Sequence, residues 1–198
     1  MKEETFVQKV FKEFLDAGFT LKIWQKEGLG KGSQHGGYFD SSLMEINIAY
    51  KNHNRLYTIV HEYNHFLQWR DRKNFWLKYG GESSVLTEWL NGKDFSKNKI
   101  TKEIKNLIRI ERDCEIRTVK TFDKYKFKFG DGRENYIRGC NAYIFSHLYI
   151  KKHRKYPPSK FMNNKFYQNF PNEFLPIGCY FKGIDKKGND MTHFFENI

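Results

Sequence analysis

The sequence predicts an α+β fold, and three observations carry that prediction. Four stretches place apolar residues at helical spacing, one stretch alternates apolar and polar residues as a half-buried strand does, and glycine or proline breaks separate them. No segment repeats another, and no linker-like composition divides the 198 residues. A single domain spanning 1–198 is therefore expected, long enough to bury a hydrophobic core.

The elements follow in order. Residues 3–17 set Phe6, Val7, Val10, Phe11, Phe14 and Leu15 at helical spacing, and Gly18 is a natural stop. Residues 19–24 read as a short strand. The glycine-rich run 28–37 does not fit a phosphate-cradling loop, because Gly32 rather than Ser or Thr follows Lys31. It is expected to be a flexible connection, with a flap over a cleft as the alternative. Residues 38–49 read as extended chain, with Met44, Ile46 and Ile48 alternating against Glu45 and Asn47. Asn52 and Asn54 are cap candidates for a helix over 55–69. Further helices are expected over 101–125 and 134–155, the second ending before Pro157-Pro158. From about 157 the chain is rich in Asn, Phe and Gly, and irregular packing over the surface is expected.

The balance of 35 basic and 23 acidic residues gives a net charge of +12. Such a surplus can attract nucleic acid. However, 26 of the basic residues are Lys and only 9 are Arg, alongside abundant Asn, Ile, Phe and Tyr. An AT-biased coding sequence produces that composition without selection for binding, so nucleic-acid contact is expected to be non-specific only. Cys114, Cys140 and Cys179 have no C-x-x-C spacing, which argues for reduced thiols rather than a disulfide framework or zinc ribbon. No apolar run approaches the roughly 20 residues of a membrane span, and no secretory signal is seen. The expected location is cytoplasmic, with no membrane partner.

The segment His61-Glu62-Tyr63-Asn64-His65 reads H-E-x-x-H. Residues four apart lie on one helix face, so both imidazoles can reach one ion. Glu62 points beside that ion, where it can take a proton from water. The expectation is a zinc site with His61 and His65 as ligands and Glu62 as catalytic base. The competing reading is two core histidines with no metal.

Catalytic zinc usually takes a third protein ligand. Asp71 has the spacing of one zincin type, but that type needs a Gly where Gln68 stands, which argues against Asp71. Stepping along 101–125 at about 100° per residue places Glu111 and Glu115 in one arc with Ile104, Leu107, Ile108, Cys114, Thr118 and Phe122. Asp113 falls on the opposite face. Charges on a core face need partners. Either buried Arg or Lys supplies them, or Glu111 ligates zinc while Glu115 accepts a hydrogen bond from a ligating histidine. The reverse assignment of the two glutamates is also open. Tyr143 and His147 share a later helix face and are candidates for stabilising an oxyanion, with core packing as the alternative.

A glutamate ligand on a second helix, with an acidic residue four positions later, resembles the gluzincin branch of metallopeptidases, where the later residue is usually Asp. Residues 61–69, Glu88-Trp89-Leu90, residues 110–115 and Asn141-Ala142-Tyr143 resemble uncharacterised metallopeptidases of tailed phages and large DNA viruses. The resemblance implies a zincin-like domain, with a short antiparallel sheet over the H-E-x-x-H helix and a glutamate-bearing helix facing it. It also implies Zn2+ as cofactor, a peptide or protein substrate and, if viral, the host cytoplasm. Two other classes compete with this hydrolase: a basic nucleic-acid-binding module, and a degenerate zincin with a structural or assembly role.

Overall fold

The computed structural model describes residues 1–29, 36–52, 54–80, 84–158 and 163–197. Residues 30–35 of the glycine-rich run, and with them the choice between connection and flap, lie outside that set. The fold is α+β, and the chain divides into two compact units. Met1–Lys78 with Lys120–Phe127 makes the first, and Tyr79–Val119 with Lys128–Ile198 makes the second.

The first unit opens with α1 (Glu3–Asp16). Phe6, Val10 and Phe14 recur every four residues and are fully buried. Gly18, at φ 85°, turns the chain into β1 (Thr20–Trp24). β2 (Gly37–Asp40) and β3 (Glu45–Ala49) form a hairpin. Asp40 Oδ1 accepts from the backbone of Ser42 and Leu43 in its turn. That turn splits the single extended stretch read at 38–49. Gly37 is needed for packing: a Cβ there would lie 2.7 Å from Asn47 O and 2.8 Å from Thr58 Cγ2.

The expected antiparallel sheet holds for β2 and β3, but the sheet as a whole is mixed. Its order is β1-β3-β2, and β1 joins β3 in parallel. The cause is connection length. Four residues join β2 to β3 and force reversal, whereas the twenty residues between β1 and β3 suffice to bring the chain back in the same direction.

α2 (Arg55–Asp71) follows. Asn52 Oδ1 accepts from Asn54 N just ahead of it, while Asn54 makes no side-chain cap bond. Ile59, Val60, Tyr63 and Phe66 form the core side of α2. Phe66 sits edge-on to Phe14 and Phe19, and Phe122 stacks on Tyr57. Two short turns, α3 (Lys73–Phe75) and a π-helical segment Trp76–Gly80, end this part.

The second unit contains α4 (Ser84–Leu90), most of α5 (Lys97–Tyr125) and α6 (Arg133–His153). α5 begins four residues earlier than the periodicity suggested, because Ser96 Oγ accepts from Lys99 N. The C-terminal segment corrects the expectation of irregular surface packing. It forms α7 (Asn164–Tyr167), α8 (Ile177–Lys182) and a 3-10 turn His193–Asn197. Its Phe170, Leu175, Tyr180, Met191 and Phe195 join Ile104, Ile108, Ile144 and Phe145 in one core.

Asn141 anchors that segment. Its Nδ2 donates to Pro171 O at 2.7 Å and Glu173 O at 2.9 Å, and its Oδ1 accepts from the Tyr180 hydroxyl. Arg112 Nε donates to Leu175 O at 2.8 Å. Each buried group left unpaired costs about 1–3 kcal/mol. Asn141→Ala should therefore lower unfolding stability by at least about 2 kcal/mol, read as a shifted urea midpoint at unchanged slope. A shift under about 0.5 kcal/mol would show that these bonds do not hold the segment.

Candidate metal centre

α2 carries the H-E-x-x-H residues in the first unit. One helical turn separates His61 from His65. Their rings stand nearly perpendicular with centroids 4.6 Å apart, and their Nε2 atoms are 3.0 Å apart. His65 Nδ1 lies 2.9 Å from Gln68 Oε1. A side-chain amide oxygen only accepts, so Nδ1 carries the proton and Nε2 of His65 carries its lone pair.

This arrangement fits a metal. Zinc binds imidazole nitrogen at about 2.0–2.1 Å, so two nitrogens on a tetrahedral ion stand roughly 3.3 Å apart. The observed separation is within a few tenths of an ångström of that. Without an ion, that contact is a hydrogen bond in which His61 Nε2–H donates to the His65 Nε2 lone pair; moving the His61 proton to its other nitrogen turns both lone pairs toward a cation. Glu62, between the two histidines in sequence, is 5% exposed.

Gln68 was read from the sequence only as a residue that keeps the helix going. It is fully buried and orients His65. The available signal was its place three residues after a ligand, on the same helix face. α2 does continue through Asp71, whose carboxylate accepts from Arg70 at 2.6 and 2.9 Å. That pairing agrees with leaving Asp71 out of the ligand set. On the core side, Tyr63 donates to Glu13, and burial together with that bond pushes its phenol up.

In the second unit, α5 presents the face that the periodicity placed there. Glu111 and Glu115 are each 7% exposed, and Cys114 and Thr118 are fully buried. Asp113 instead pairs with Arg117 at 2.7 Å. Glu115 Oε2 accepts from Tyr136 Oη at 2.9 Å and from Cys140 Sγ at 3.2 Å. Burial, together with the nearby Glu115 charge, pushes the Tyr136 phenol and the Cys140 thiol well up. Both therefore keep their protons and donate. Neither residue was singled out from sequence; the signal was two donors four apart on one face of α6.

Tyr143 and His147 share a face of α6, with ring centroids 5.0 Å apart. His147 is buried, and its Nδ1 donates to Ile144 O at 3.1 Å. Burial holds its imidazole below the usual range, partly offset by the Glu111 charge. The ring is thus neutral with its lone pair on Nε2, and burial disfavours its protonated form. Of this pair, the Tyr143 hydroxyl is the group able to donate to an oxyanion.

Among the described residues, no helix is long and apolar enough to cross a membrane. No protein-family model, no curated protein and no solved structure matches the chain.

Proposed function

We propose that this chain is a zinc-dependent hydrolase of the zincin type, a metallopeptidase in which His61, His65 and Glu111 hold Zn2+ and Glu62 is the general base. The observation that carries the proposal is the approach of two imidazole Nε2 atoms to 3.0 Å on one helix, with the opposite nitrogen of His65 committed to Gln68. Zinc, when bound, supplies Lewis acidity toward the scissile carbonyl and the attacking water.

The chain's own residues do the rest. Glu62 takes the proton of the attacking water and later delivers it to the leaving amine. The Tyr143 hydroxyl donates to the oxygen on which negative charge develops. β1 and β2 are the outer strands of the sheet, and an outer strand can hold an extended peptide through its backbone groups. Nucleic acid, attracted by the +12 charge, remains a non-specific partner in this reading.

α5 offers two kinds of donor for the third ligand position. Glu111 is the donor expected from sequence, and the buried Cys114 stands three residues further along the same helix face. The purified chain should carry about one zinc. His61→Ala and His65→Ala should each remove most of it, as measured by elemental analysis. Glu111→Ala should do the same, whereas Cys114→Ser should leave occupancy near wild type. Cobalt substitution separates the two donors directly, since only a thiolate ligand gives thiolate-to-cobalt charge-transfer absorption. Full zinc in Glu111→Ala with loss in Cys114→Ser would move the third ligand to Cys114. Wild-type protein that stays metal-free when zinc is offered would sink the proposal.

A further inference from the structure

We infer that Tyr136 and Cys140 are positioning residues: from one face of α6 they hold the Glu115 carboxylate of α5 as a hydrogen-bond acceptor, leaving Glu111 as the carboxylate of that helix that ligates the metal. The inference rests on the metal reading above. It decides between two glutamates that periodicity alone leaves equivalent, since residues one turn apart on a helix face the same way.

The geometry is specific. Tyr136 and Cys140 are four residues apart, so their side chains lie one above the other on α6. Both reach the same oxygen of Glu115, at 2.9 and 3.2 Å. A carboxylate oxygen has two acceptor positions, and these two donors fill them. Turning Glu115 toward an ion would break both bonds, one of them to the thiol of a buried residue. Groups so placed have little access to water as a substitute, so the rotation is disfavoured. A fixed carboxylate one turn beyond a metal ligand contributes charge and orientation without competing for the coordination position.

The experiment measures zinc affinity by competition with a chelator, together with melting temperature, in wild type, Tyr136→Phe, Cys140→Ala, the double variant and Cys140→Ser. The double variant should bind zinc about tenfold or more weakly, within the range seen when a group supporting a metal site is removed. Cys140→Ser should stay near wild type, because its hydroxyl still donates. Tyr136→Phe removes only a hydroxyl and keeps the test available if the double variant does not fold; it should weaken zinc binding by itself. A role confined to packing would lower the melting temperature and leave the affinity of the folded protein unchanged. That result, with wild type binding zinc, overturns the assignment alone. Wild type that takes up no zinc overturns the metal reading, and this assignment with it.

Discussion

Glu62→Gln is expected to fold, to keep its zinc, and to lose peptide-bond hydrolysis by at least about a hundredfold. Neighbouring helix positions point about 100° apart, so an ion held by His61 and His65 would have Glu62 beside it rather than as a ligand. The amide matches the carboxylate in shape, and at a position only 5% exposed that preserves packing. Under the proposed mechanism, what it removes is the group that accepts the proton from the attacking water. Zinc content, melting temperature and cleavage of a diverse peptide library, measured on both proteins, separate three outcomes. Loss of cleavage with zinc retained supports the base assignment. Undiminished cleavage means that another residue is the base. Zinc-loaded wild type that cleaves no peptide and no peptidoglycan supports a structural role for the ion in place of catalysis.

The helix faces that carry the candidate residues were legible because helical periodicity is local. Stepping along α5 grouped Glu111, Cys114, Glu115 and Thr118 on the core side, and all four are buried. The same counting put Asp113 outside that arc, where it pairs with Arg117. A period reports a face but not what meets it. Hence Glu115 was read as a histidine's acceptor without any sign of Tyr136 or Cys140, and Gln68 passed as a helix-continuing residue. Strand direction is similarly non-local. Residues 19–24 look the same whether they join β3 in parallel or antiparallel, and the length of the connection decides. The C-terminal segment misled for a further reason. Its Asn, Gly and Pro residues mark breaks, while Phe170, Leu175 and Tyr180 between them are core residues with no period to announce them.

Phe66→Ala should produce the largest loss of stability of any substitution beside the site, about 3–5 kcal/mol, as a lowered urea midpoint of the zinc-free protein. Phe66 is fully buried one residue after His65. Its ring meets Phe14 at 5.2 Å, Phe19 at 5.6 Å, Trp69 at 5.9 Å and Tyr63 at 6.1 Å between centroids. Truncation empties the position where α1, β1 and α2 pack together, and flanking aromatic rings are too rigid to collapse into the space. Phe66→Leu refills much of the volume and should lose less than half as much. The link to function is thermodynamic, because an ion that binds only the folded chain stabilises it. Zinc at about a hundred times its dissociation constant should return roughly 2.7 kcal/mol to Phe66→Ala, as it should to wild type. A His65→Ala background should lose that zinc-dependent gain. If Phe66→Ala loses under about 1 kcal/mol, the ring does not hold α2 against α1 and β1. If zinc raises the His65→Ala midpoint as much as it raises wild type, the stabilising ion binds somewhere other than on α2.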